Sequence, residues 1–171
     1  QTEVEVLPDP RFPWDQKVYE RQWALYQDWK KVIKDLDDEV EKIKESRELM
    51  DWSLQAIKYL PDSVQKQWKT QADTLHKYWN QQMEVVFMPE GRRGHQDYSR
   101  YINGRIWTPY SLIASGSAMP GKNAEAAIDE LRKDVEEWKL ANQKIWQQYW
   151  NPFVVNATQQ LTWPEPWRNQ K

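Results

Sequence analysis

The sequence predicts an all-α protein. The expected architecture is an antiparallel three-helix bundle: one long coiled-coil-like helix, a helical hairpin partner and a third helix. An irregular Gly/Arg-rich lobe separates helices two and three, and the termini are extended and Pro/Trp-rich. Three observations carry this. From Trp14 to Leu60 the chain has neither glycine nor proline, while apolar residues recur at alternating steps of three and four. The same period returns in two later segments. Gly91, Gly94, Gly104, Gly116 and Gly121, the only glycines, all fall between those two segments.

The first seam reads Tyr19, Gln22, Tyr26, Trp29, Ile33, Leu36, Val40, Ile43, Arg47, Met50, Leu54 and Ile57, which is a coiled-coil type of stripe. Pro61 stops this helix, because proline has no N–H to donate and disfavours helical geometry in the residue before it. Pro61-Asp62-Ser63 makes a tight corner, with Asp62 or Ser63 placed to cap the next helix. Helix two, about 63–87, carries Val64, Trp68, Ala72, Leu75, Trp79, Met83 and Val86 on one face, and the short corner makes it antiparallel to the first. Helix three follows Gly121, with Ala124, Ile128, Leu131, Val135, Trp138, Asn142, Ile145 and Tyr149 on its seam, and Asn151-Pro152 is expected to end it. Arg47 and Asn142 break the apolar rule. Such polar seam positions either fix register or reach water at a bundle end. In the lobe, helical turns are expected around 96–102 and 110–114.

This gives one domain of 171 residues. Residues 1–13 form an N-terminal arm, 14–88 the helical hairpin, 89–121 the lobe, 122–150 the third helix and 151–171 a C-terminal arm. With 39% hydrophobic and 29% charged residues the composition suits long, polar-faced helices. A net charge of −2 exerts no global pull toward nucleic acid. The longest apolar run, Val85-Val86-Phe87-Met88, is far short of the roughly 20 residues that a bilayer span needs, so no transmembrane helix is expected. Without cysteine there are no disulfides, thiol nucleophiles or thiolate metal sites. A first residue of Gln1 rather than Met means either a trimmed start or a processed N-terminus; the compartment stays open, and processing would suggest periplasm, secretion or an organelle lumen.

Twelve tryptophans are the strongest compositional signal. Trp29, Trp68, Trp79 and Trp138 lie on the seams and are expected in the core. Trp14, Trp23, Trp52, Trp107, Trp146, Trp150, Trp163 and Trp167 lie beside the seams, opposite them or outside helices. Three helices of these lengths cannot bury them all. Helix two covers only the later half of helix one, so helix three, the lobe or another chain must cover the stretch from Trp14 to Val32. Prolines hold Leu7-Pro8-Asp9-Pro10-Arg11-Phe12-Pro13-Trp14 and Thr162-Trp163-Pro164-Glu165-Pro166-Trp167 extended, which lowers the entropy lost on docking. The expected partner-binding set is therefore Phe12, Trp14, Trp23, Trp107, Trp146, Trp150, Trp163 and Trp167. The arms either clasp a neighbour or pack on the bundle's own open end.

Catalytic chemistry has little to stand on. A di-metal carboxylate site in a bundle needs inward-facing Glu residues and paired Glu-x-x-His motifs. His76 and His95 are the only histidines, and no predicted seam position is acidic. Asp35, Asp37, Asp38, Glu39 and Glu41 read as a solvated face paired with nearby lysines, Lys31 with Asp35 and Asp38 with Lys42. The serines of 110–117 have no nucleophile elbow around them. Arg92, Arg93, Arg100 and Arg105 form a basic cluster in the Gly-rich lobe, suited to an anion or to ion pairs with a protein neighbour. No catalytic residue, metal or cofactor is predicted.

The expectation is a non-catalytic helical accessory subunit or scaffold of a larger multiprotein assembly, membrane-bound ones included. Its partners would be other protein subunits, met through the arms, the lobe and the surplus aromatics. A long first helix, the Leu60-Pro61-Asp62 corner and an inserted lobe also make the chain similar in architecture to the VirB-type minor pilus components of bacterial type IV secretion. That resemblance implies a secreted or periplasmic helical interaction protein. A further alternative is a ligand binder using exposed tryptophans as stacking platforms for sugars or bases.

Overall fold

A computed structural model describes residues 15–89, 91, 97–114 and 119–161. Among them the chain is all-helical, with no strand. Helix α1 spans Gln16–Ala56, about 60 Å at 1.5 Å per residue. Asp15 caps it by accepting from the Lys17 N–H at 2.9 Å. A single 3₁₀ turn, Ile57–Tyr59, leads into the corner. Pro61, not Asp62 or Ser63, holds the capping position of α2 (Asp62–Val86), and no side chain caps it. The corner is closed instead by Gln65, whose Nε2 donates to the carbonyls of Lys58 at 3.2 Å and Leu60 at 2.8 Å.

Helix α2 buries Trp68, Ala72, Leu75, Trp79 and Val86, as its periodicity predicts, with Val64 and Met83 half-buried. It runs antiparallel to α1: Arg47 meets Asn80 and Asp51 meets His76. Helix α5, Lys122–Ile145, buries every predicted seam position from Ala124 to Ile145. It runs alongside α1 in the same direction, since Arg21 pairs with Glu125 and Asp28 with Arg132. Helices α1, α2 and α5 each pack against the other two. The Trp138 indole N–H ties α5 to the end of α2 by donating to the Gln82 carbonyl at 3.0 Å.

Five positions of the first predicted seam, Leu36, Val40, Ile43, Met50 and Ile57, are buried. Beside them α1 also buries Val18, Leu25, Val32, Glu39, Ser46, Leu49 and Ser53, while Tyr19 is exposed and Tyr26, Ile33, Arg47 and Leu54 are only half-buried. Helix α1 is packed from two sides, by α2 and α5, so its buried face is wider than one apolar seam and takes in small and polar positions. Ser46 and Ser53 satisfy themselves there, donating to the carbonyls of Ile43 at 2.7 Å and Leu49 at 2.8 Å.

The third helix does not stop at Asn151-Pro152. A π-helical turn, Trp146–Trp150, joins α5 to α6 (Asn151–Gln160), so residues 151–160 are helix rather than extended arm. The Asn151 N–H reaches back to the Trp146 carbonyl, and Pro152 falls in the first turn of α6, where a missing N–H costs little. The extra residue in this turn shifts the register of all that follows. An unbroken α-helix would carry the seam from Tyr149 to Pro152 and Asn156. The core receives Phe153 and Ala157 instead.

The lobe is helical in pieces. A 3₁₀ turn, Tyr98–Arg100, is followed by α3 (Ile102–Arg105) and α4 (Trp107–Ala114). Asp97 caps the turn, accepting from the Ser99 hydroxyl at 2.5 Å and the Ser99 N–H at 3.1 Å. Those two bonds, with Arg100 close by, hold the Asp97 carboxyl below its ordinary pKa. Gly104 is required here, since a Cβ on it would meet the Tyr98 carbonyl oxygen at 1.8 Å. Helix α4 packs on both α1 and α5, and Ile102, Ile106 and Ile113 join the core. The lobe thus covers the part of α1 that α2 cannot reach.

Candidate functional site

The lobe docks on α1 through one indole. The Trp29 N–H donates to the Ile106 carbonyl at 3.0 Å, and the Trp29 ring lies 5.4 Å from Tyr110. From this point rings continue both ways. On α1, Tyr26 lies 5.5 Å from Trp29, and Trp23 stacks on Tyr26 at 5.9 Å with planes 25° apart. On α4, Trp107 meets Tyr110 edge to face at 5.9 Å. The ladder Trp23–Tyr26–Trp29–Tyr110–Trp107 crosses from one helix to the other. Its two end tryptophans are 59% and 63% exposed, far more than an indole held by a packed core. Tyr19, one turn before Trp23 on α1, is also exposed.

The arrangement follows from local sequence. Trp23, Tyr26 and Trp29 are spaced by three along α1, as are Trp107 and Tyr110 on α4, so each set shares a helix face. Trp29 belongs to the predicted core but is only half-buried, serving as the hinge of the ladder. Tyr26 and Tyr110 are ladder members that a search confined to tryptophan passes over. Their i, i+3 spacing to the neighbouring indoles is the signal that marks them.

Of the predicted partner-binding residues, Trp23 and Trp107 are therefore on the surface and in one array. Trp146 and Trp150 are not surplus. Trp146 packs on Trp79 at 4.5 Å and meets Trp150 at 5.7 Å, Trp150 stacks on Phe153 at 5.8 Å, and Phe153 meets Trp68 at 5.2 Å. This second ring chain joins α2 to the end of the third helix from within. Beside it, the hydroxyls of Tyr78 and Tyr149 are hydrogen-bonded at 3.1 Å, which raises the Tyr149 pKa. Phe12, Trp14, Trp163 and Trp167 lie outside the described residues.

The basic cluster is not assembled as an open anion site by the arginines that can be placed. Arg100 sits 3.4 Å from Asp97 within its own turn. Arg105 turns inward, 2.5 Å from Asp134 of α5, an ion pair that is half-buried and pins the lobe. Arg92 and Arg93 lie outside the described residues. The acidic run on α1 likewise divides. Lys34 pairs with Asp38 and Lys44 with Glu41 at the surface, replacing the predicted Lys31–Asp35 and Asp38–Lys42 pairs. Glu39 is 6% exposed and sits on the buried line, accepting the Trp146 indole N–H at 2.9 Å, with Lys42 3.5 Å from its other oxygen.

Among the described residues, no three histidine or carboxylate side chains converge as a metal site, and no helix is long and apolar enough to cross a membrane. No protein-family model matches the chain, and neither a curated protein nor a solved structure matches it. The geometry on which a functional reading rests is the aromatic ladder.

Proposed function

We propose that the protein is a non-catalytic helical subunit or scaffold that docks onto other protein subunits of a larger assembly, with the Trp23–Trp107 ladder as its principal contact. In this reading α1, α2 and the α5–α6 rod form an antiparallel three-helix bundle, residues 89–121 are the docking lobe, and the Pro/Trp-rich arms add grip on the neighbour. The observation that carries it is an array of rings in contact whose two end tryptophans are exposed among the described residues. Tryptophan and tyrosine are the residues that dominate protein interfaces, because they bury large area at little conformational cost. An exposed apolar array of this kind marks an interaction site more often than chance.

The test is purification from the native source under gentle conditions, comparing the natural chain with a Trp23→Ala/Trp107→Ala variant. The natural chain is expected to travel with specific proteins and the variant without them, while the two melt alike, since exposed positions shift stability by only about 0.5 kcal/mol. A natural chain that travels alone, or a variant that keeps every companion, overturns the reading.

A second reading is favoured by the same solvent-facing indoles: a stacking platform for planar ligands such as sugars or bases. Quenching of tryptophan fluorescence by such a ligand, lost in the double variant, would favour it over docking.

A further inference from the structure

The ladder leaves one other built feature unused, an open groove of about 380 Å³ beside the junction of α5 and α6. Trp146 and Trp150 line it, with ring planes 84° apart. Two walls at right angles make a corner that receives the face of a flat ring on one indole and its edge on the other. Both walls are rigid. Trp146 is held by its bond to Glu39 and by packing on Trp79, and Trp150 is backed by Phe153. The π turn that carries them is a feature often found at functional sites.

The charges of the groove have a definite balance. Glu39 is paired with Lys42, while Lys139, half-buried, has no carboxylate within ion-pair distance among the described residues. One positive charge is thus left over on a half-buried lysine that lines the groove. Gln143 and Asn151 line the groove too and supply neutral amide donors suited to carboxylate oxygens. The volume falls within the range of small-molecule sites. The second groove, about 240 Å³ and lined by Thr70, Thr74, Tyr149 and Phe153 among others, carries no charged side chain to meet an anion.

We propose that this groove binds a planar aromatic monoanion, its ring in the Trp146–Trp150 corner and its carboxylate on Lys139. The site is separate from the ladder, so it stands or falls independently of the docking reading. The test is calorimetric titration of the full chain with 2-naphthoate, alongside neutral 2-naphthamide. Saturable one-to-one binding of 2-naphthoate is expected, weakened at least tenfold by Lys139→Met and largely kept by Lys139→Arg, with the amide at least tenfold weaker than the acid. The Trp23→Ala/Trp107→Ala variant should bind as the natural chain does. Absence of saturable binding, equal affinity in Lys139→Met, equal affinity for the amide, or loss of binding in the ladder variant each overturns the proposal. The Lys139→Arg variant guards against a simple folding failure.

Discussion

Glu39 and its sequence neighbours look alike on paper, yet only Glu39 is withdrawn from water. A buried carboxylate is tolerable because it is hydrogen-bonded and ion-paired, here by the Trp146 indole and Lys42. Glu39→Ala removes the acceptor for a half-buried N–H, so urea denaturation is expected to show a loss of about 1–3 kcal/mol, with Glu39→Gln losing less because it keeps an acceptor. Asn142 is the opposite case. It is 0% exposed, and neither its amide nitrogen nor its oxygen finds a partner among the described residues. Of the two readings open for this seam position, reaching water at a bundle end is excluded by its burial. Replacing it with leucine removes the desolvation penalty of an unsatisfied amide, so Asn142→Leu should raise the unfolding free energy by about 1–3 kcal/mol, seen as a higher urea midpoint at an unchanged slope. A lower midpoint would mean that the amide has a bound partner in solution.

Among the elements, the π turn at Trp146–Trp150 has the widest consequences. It delivers Phe153 into contact with Trp68 and Trp150, making α6 part of the core although the chain enters it through a proline. Phe153→Ala should therefore cost about 3–5 kcal/mol in denaturant unfolding, as for other buried aromatic residues. Were α6 a loosely attached arm, the same change would cost almost nothing. The groove corner has the same origin, since both its indoles belong to the π turn.

Taken whole, the molecule divides α1 between two different partners. Its later half is gripped by α2, its earlier half by the lobe, and α5 lies along both. The lobe's hold is narrow, resting on the Trp29 bond to Ile106, the Arg105–Asp134 pair and three buried isoleucines. Trp29→Ala should accordingly raise amide hydrogen exchange across 97–114 while α2 keeps its protection, because the two halves are held by separate contacts. Uniform deprotection of both would show that the molecule opens as one unit. Covering the early half of α1 with the lobe also narrows the surplus of aromatic surface. Among the described residues Tyr59 and Tyr98 are exposed too, but the ladder between α1 and α4 is an array of rings in contact, which is why it, and not Trp146 or Trp150, carries the docking proposal.

Periodicity alone was enough for the helical character of the chain, the faces of α2 and α5 and the Pro61 corner, because a 3.6-residue repeat leaves its mark wherever one side is buried. It also marked Trp23 and Trp107 as unabsorbed. The buried face of α1 was legible in part: Leu36, Val40, Ile43, Met50 and Ile57 follow the repeat, whereas a helix clamped from two sides also buries positions that hydrophobicity does not flag, Glu39, Ser46 and Ser53 among them. Nor was the passage of the third helix through Pro152, because a π turn is a compromise between local geometry and the demand of a distant core for Phe153 and Ala157. Repeats are written in neighbouring residues. The partners that widen the buried face of a helix, or turn an arginine inward to Asp134, come from elsewhere in the chain and exist only once it has folded.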